Sequence, residues 1–168
     1  MTTPFEQMEL ISYSSEFQAS LEEFLEIMYS YRGYKFEPTG LQSDIRNIEN
    51  IYQIQGGNFW IMRKNAIVIG SIGLKILNKI DKIGEIKRYF VLPSCQGKGI
   101  GTLLMEHLLL NANKNELHIL RLDTMRKSIV ARKIFEKYGF QEINKYNDNE
   151  IAEIFMELKL KTPGLPIF

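Results

Sequence analysis

The stretch from Tyr89 to Leu104 constrains this chain more than any other. An apolar run ends at Pro93, Gln96-x-x-Gly99-x-Gly101 follows, and then Ile100, Leu103, Leu104, His107 and Leu108 recur at helical spacing. A strand, a glycine-rich turn and a helix start, in that order, build an anion site. The first N–H groups of a helix lack internal partners, and the helix dipole adds partial positive charge at the same end. Gly97, Gly99 and Gly101 remove the Cβ atoms that would hold a phosphate off, and they allow φ > 0. The loop therefore reads as the cradle of a phosphorylated cofactor. The alternative is a plain helix-start turn.

Two phosphate loops fit poorly. A P-loop needs Gly-Lys followed directly by Ser or Thr, and here Lys98 is followed by Gly99. The dinucleotide fingerprint needs G-x-G-x-x-G and an acidic residue about twenty positions on. Asp123 lies near that distance, but Thr102 fills the place of the third glycine. A nicotinamide-dependent oxidoreductase thus fits the loop poorly. The third reading is a coenzyme A pyrophosphate loop.

The loop, with the strand ending Val91-x-Pro93, resembles the acetyl-CoA signature of the GNAT superfamily of N-acetyltransferases, which is Arg or Gln, x, x, Gly, x, Gly or Ala. Downstream, Ala131, Ile134, Phe135, Glu136, Lys137, Gly139 and Phe140 resemble the family's Asn-x-x-Ala-x-x-Leu-Tyr-x-x-x-Gly-Phe segment. Ile154 to Leu158 resembles the closing strand of bacterial members. The likeness is firm from about Glu85 to Phe140 and weaker before Phe59.

Bulk properties agree. A chain of 168 residues fits one domain, 1–168, with 162–168 as a Pro/Gly-containing tail. Its formal net charge of +1 gives no field for nucleic acid or a membrane surface. Cys95 is the only cysteine, which excludes an internal disulfide and suits a reducing cytoplasm. The start lacks the basic-then-apolar form of a signal peptide, and no apolar run reaches the ~18 residues of a membrane span. Two scattered histidines and one cysteine make no metal cluster.

The pattern predicts an α/β fold. Strands are expected at 9–13, 59–62, 66–77, 82–91, 118–124, 140–143 and 153–160. Helices are expected from about Phe17 to Arg32, over 38–52, from the glycine loop to Asn113, and over 128–138, with Gly139 as its C′ residue. Ser14 and Ser15 are candidate caps of the first helix. Hairpins first and a strand–helix–strand unit later imply a mixed sheet with helices on both faces. The resemblance adds that the sheet is mostly antiparallel and splayed into a V.

The resemblance also implies a mechanism. Acetyl-CoA would lie in the V, with the backbone of Tyr89, Phe90 and Val91 on its pantetheine arm and acetyl carbonyl. Gln96, Gly97, Lys98, Gly99, Ile100, Gly101 and Thr102 would hold the pyrophosphate, and Ser128 would cap its helix and touch the coenzyme. The acceptor would be a primary amine attacking directly in a ternary complex, first a small molecule, second a protein N-terminus or lysine. A homodimer is left open. Glu85 is the candidate base; a cross-strand ion pair is the bland alternative. Strand alternation puts Glu85, Lys87, Tyr89 and Val91 on one face and Ile86, Arg88 and Phe90 on the other, unless a bulge near Tyr89-Phe90 breaks the phase.

Two departures from the family pattern matter. Phe135 stands where the family has its proton-donating Tyr, and Ser128 stands where it has Asn. Tyr138, three residues on, is the candidate substitute acid, against a packing role; Tyr89 and Tyr146 follow it. Without any such acid, a thiol remains a good leaving group. A non-catalytic CoA-binding module is the reading from a different class. Arg32, Tyr34, Lys35 and residues 144–150 are where acceptor contacts are expected. Met125 and Arg126 follow the strand from His118, near the expected acetyl group. His107 and Trp60 read as packing residues, and Cys95 as part of the loop.

Overall fold

In the computed structural model, which describes residues 7–161, the chain forms a seven-stranded sheet flanked by helices. The strands are β1 (Met8–Ser12), β2 (Asn58–Lys64), β3 (Ile67–Asn78), β4 (Ile83–Val91), β5 (Ile119–Thr124), β6 (Gln141–Ile143) and β7 (Ile154–Lys159). The helices are α1 (Gln18–Tyr31), α2 (Ile100–Lys114) and α3 (Ile129–Lys137). Sheet order is β1-β2-β3-β4-β5-β7-β6. Every pair is antiparallel except β4 with β5, which the α2 crossover makes parallel. The expected 162–168 tail lies outside the described residues.

Period-two alternation on β2 splits the core in two. Phe59 and Ile61 face α1, where Leu21, Phe24, Leu25 and Met28 pack with Ile45, Ile48 and Tyr52. Trp60 and Met62 face the other side, where Leu104, Met105 and Leu108 of α2 and Phe135 of α3 pack on Ile72, Leu74, Ile86 and Leu120. Each large apolar side chain buried this way contributes about 1.5–3 kcal/mol. Helices therefore cover both faces, as the sequence predicts.

Two expectations need correction. Residues 38–52 do not form one α-helix: they make a 3-10 turn, Ser43–Asn47, and a π-helical turn, Glu49–Gln53. Of the residues at near-helical steps, Leu41, Ile45, Ile48 and Ile51, only Ile45 and Ile48 are fully buried, with Tyr52 beside them; Ser43, Asp44, Asn47 and Asn50 favour local side-chain bonds over helix. Asp44 spends its carboxylate on Tyr52 and Arg88, and the Gln42 side chain accepts from the Glu37 N–H. The second correction concerns β4. Its register slips between Ser71↔Phe90 and Gly73↔Lys87, so β4 carries one extra residue there. Arg88 takes φ +53, a left-handed conformation unusual for a non-glycine residue. Past this bulge the faces exchange. Tyr89 and Val91 join Ile86 against the α2 core, while Phe90 packs on the α1 side. Glu85 and Tyr89 do not share a face.

Candidate active site

The sheet opens where β4 and β5 stop pairing. Their register covers Ile83↔Ile119, Gly84↔Leu120 and Glu85↔Arg121 and no further. From Ile86 to Val91 the β5-side backbone groups of β4 have no strand partner, and two cavities occupy the opening. One, of about 810 Å³, lies between Tyr89–Val91, the glycine turn and the start of α3. The other, of about 530 Å³, lies between β4, the end of β5, the 29–42 segment and residues 149–152. Arg32, Tyr89, Phe90 and Ala131 line both.

The larger cavity has the chemistry of an anion cradle. Pro93–Cys95 forms a 3-10 turn, then Gly97 and Gly99 take φ +74 and +82 and α2 begins at Ile100. A side chain at either glycine would force an L-residue into the left-handed region. Among the described residues the backbone N–H groups from Gly97 to Thr102 find no protein acceptor, and the first backbone bond of the helix is Leu103 N–H to Gly99 O. Six unpaired donors at the positive end of a helix suit a pyrophosphate. The Gln96 side-chain amide braces the loop: its Nε2 donates to Val91 O at 3.1 Å. Gln96, Gly97, Gly99, Ile100, Gly101 and Thr102 line this cavity; Lys98 is exposed and lines neither. Ser128 sits at the N-cap of α3 without making a side-chain cap bond; its Oγ accepts from Arg32 Nη2 at 2.7 Å instead.

Glu85 sits at the fork of the V, 3% exposed, in the last position of β4 that pairs with β5. Its Oε2 accepts from Tyr146 Oη at 2.7 Å and from Asn147 Nδ2 at 3.3 Å, and its Oε1 lies 3.6 Å from Lys87 Nζ. Burial and then the Glu85 charge push the Tyr146 hydroxyl far above the usual phenol range, so it stays a donor. Asn147 Nδ2 also donates to Asp123 Oδ2 at 2.6 Å, and Asn149 Nδ2 donates to Asp123 Oδ1 at 3.0 Å. Glu85 does not line the smaller cavity; Asp123 does. Sequence reasoning placed Asp123 only in the rejected dinucleotide reading and missed this link, because residues 144–150 carry no periodic signal.

The aromatic residues separate clearly. Phe135 is buried and lines the smaller cavity, with its ring centroid 5.7 Å from that of Tyr89. Tyr89 Oη donates to Gly101 O at 2.7 Å, and burial raises its pKa. Tyr138 lines neither cavity: its hydroxyl donates to Glu106 Oε1 on α2 at 3.3 Å, so it is not brought to the opening with Glu85. Its helix face is the one facing α2, where Tyr138 packs at the core's edge.

Comparison with known proteins decides the family. Residues 55–142, more than half of the chain, match the model of the acetyltransferase (GNAT) domain. The chain belongs to the GNAT acetyltransferase family. A GNAT-family acetyltransferase from Staphylococcus aureus Mu50 superposes with a TM-score of 0.83 at 26% identity, covering 92% of this chain and 99% of that one. A Salmonella typhimurium protein solved with its cofactor acetyl-CoA shares the fold, with a TM-score of 0.72 at 17% identity over 96% of this chain and 99% of that one. N-acetylaspartate synthetase of Xenopus tropicalis is 31% identical over 104 residues, 61% of this chain and 38% of that protein. The chain thus spans well under two thirds of the length of such curated relatives. Among the described residues no helix is long and apolar enough to cross a membrane.

Proposed function

We propose that this chain is an acetyl-CoA-dependent N-acetyltransferase acting on a primary amine by direct attack in a ternary complex. The observation that carries this reading is the opening beside β4. Six acceptor-free N–H groups lie at the α2 start, beside a cavity lined by Tyr89, Phe90 and Val91. When bound, acetyl-CoA supplies a thioester carbonyl open to an amine.

The chain's own groups divide the work. Gly97 to Thr102 offer N–H donors to the pyrophosphate. The unpaired backbone of β4 past Glu85 supplies the donors that polarise the acetyl carbonyl, which is worth about 2.7–4 kcal/mol per preorganised donor. The arriving ammonium must lose a proton. Glu85 is the proposed base, and because it stands behind Asn147 the proton would reach it through water or through the Asp123 side of the network. Phe135 offers no proton to the departing thiolate. A low-pKa leaving group tolerates that.

A cavity of about 530 Å³ favours a small-molecule acceptor, and one relative is named for an acetylated amino acid. Phe135 is also the one observation that favours a coenzyme-binding module without turnover. Calorimetric titration with acetyl-CoA, CoA and NADH, followed by free-thiol release with an amine panel, separates the readings. Micromolar binding of acetyl-CoA that is lost in Gly99→Glu, with release of thiol, supports transfer. Binding without release from any amine supports the module. NADH binding in place of either coenzyme overturns both.

A further inference from the structure

The smaller cavity carries charge of both signs. Its walls include Arg32, Lys35, Lys87 and Arg88, and against them Glu37 and Asp123. The protein answers two of the cations itself. Arg88 is paired with Asp44, and Lys87 stands 3.6 Å from Glu85. Lys35 is exposed, so water screens its charge, and Glu37 lies two residues along the same loop. Arg32 and Asp123 are left.

Among the described residues no carboxylate lies within 4.0 Å of Arg32. Its guanidinium lies over the Phe90 ring, 5.4 Å from the centroid, and donates to a neutral hydroxyl, Ser128 Oγ. That leaves most of its five N–H donors for the opening. A largely buried guanidinium without an anion is costly, which is what the downward push of burial on its pKa expresses. Asp123 is the mirror case. Both its oxygens accept from neutral amides, Asn147 and Asn149, and among the described residues no cation lies within 4.0 Å of it. Amides orient the carboxylate but do not cancel its charge. The two stand on different walls, Arg32 just after α1 and Asp123 near the end of β5.

We infer that the acceptor carries an ammonium and an anionic group together: a free amino acid or a similarly small amino-carboxylate. Its amine sits on Asp123 and its carboxylate on Arg32. This rests on the transfer reading above and narrows its substrate class. A peptide N-terminus, whose carboxyl is tied up as an amide, lacks the anion that Arg32 calls for.

The test is thiol release from saturating acetyl-CoA with matched pairs, a panel of L-amino acids and the carboxamide of each. The carboxamide keeps the amine, side chain and size and removes only the anion. Its amine is less basic and loses a proton more readily, so intrinsic chemistry runs against the expected result. At least one acid should exceed its carboxamide by about tenfold in kcat/KM, the least a charge-assisted hydrogen bond should give. Arg32→Gln should bring that ratio to within about twofold of unity by raising KM for the acid, and Arg32→Lys should keep part of it. Arg32 also lines the coenzyme cavity, so calorimetry with acetyl-CoA runs beside the kinetics, and the acid-to-carboxamide ratio at saturating acetyl-CoA is the readout. Carboxamides as good as or better than the acids would overturn the inference, point to peptide N-termini, and leave acetyl transfer standing. So would Arg32→Gln weakening acetyl-CoA while the ratio persists, since Arg32 would then serve the coenzyme. Thiol release from no amine at all overturns the transfer reading itself.

Discussion

Asp44 grips Arg88 with both oxygens: Nη2 to Oδ1 at 2.5 Å and Nε to Oδ2 at 3.0 Å. Arg88 is the residue that takes φ +53 in the β4 bulge, and Tyr29 Oη accepts its third hydrogen bond at 2.6 Å. On the other side, Ser71 Oγ donates to the Arg88 carbonyl at 2.6 Å. The bulge that frees the backbone beside the opening is thus held by a residue from the 43–53 turns, a helix and a neighbouring strand. Because the pair is mostly buried, removing one partner strands the other. Asp44→Ala should destabilise by about 3–5 kcal/mol, and Arg88→Met in the same background should recover much of it. A double-mutant cycle by urea denaturation measures the coupling. Additive losses would mean the pair does not hold the bulge.

The same carboxylate predicts a pH response. Burial pushes Asp44 upward, but the Arg88 hydrogen bonds and charge outweigh it and hold the carboxyl below the usual range. A group whose folded pKa is depressed gives stability that is present above its unfolded pKa and lost as pH falls through the folded value. Wild type should therefore lose stability as pH drops below about 4. Asp44→Asn should flatten that part of the profile while lowering stability at neutral pH. An unchanged acid limb in the variant would sink the assignment.

Much of this was legible in the sequence, and what was not has a common cause. The glycine turn, α3 with Gly139 at φ +95, and the β7 pattern are local, so spacing and turn chemistry reveal them. The alternation of β4 breaks beyond Lys87 because one bulge residue reverses it, a break the sequence allows near Tyr89-Phe90 but does not fix. That residue is secured by Asp44, forty-four positions away. The links Glu85–Tyr146 and Arg32–Ser128 span sixty-one and ninety-six positions. No periodicity reports such contacts. Spacing places Tyr138 on nearly the same helix face as Phe135, and both pack on the same core, but the Tyr138 hydroxyl reaches Glu106 on α2.

Tyr138→Phe tests that placement. Its hydroxyl bond is exposed and long, and it lines neither cavity. The variant should keep kcat within about twofold and stability within about 0.5 kcal/mol. A loss of kcat of a hundredfold, with KM unchanged, would restore it as the proton donor.

Tyr146→Phe should behave differently. It removes the closest donor to a carboxylate that is 3% exposed, leaving Asn147 at 3.3 Å as the other hydrogen-bond donor to Oε2. An unsatisfied buried acceptor costs about 1–3 kcal/mol, more when charged, so the melting temperature should fall. If Glu85 is the base, kcat should fall with it, and Glu85→Gln should lower kcat further while leaving acetyl-CoA affinity unchanged. Full activity in Glu85→Gln would leave Asp123 as the carboxylate to examine.

Gly101 supplies a prediction in which two residues must change together. A Cβ built there would lie 2.8 Å from Tyr89 Oη, and the same hydroxyl donates to the Gly101 carbonyl. Gly101→Ala alone must therefore displace the Tyr89 hydroxyl, and strain of this kind costs about 1–3 kcal/mol. Tyr89→Phe alone loses one hydrogen bond, about 1 kcal/mol. Combined, the phenylalanine ring clears the new methyl, so the double variant should be more stable than the sum of the two losses predicts. Acetyl-CoA binding should follow the same pattern, weakened in Gly101→Ala and partly restored in the pair, because Tyr89 lines the cavity beside the turn. Strict additivity in both melting temperature and acetyl-CoA affinity would show that the hydroxyl and the turn do not meet.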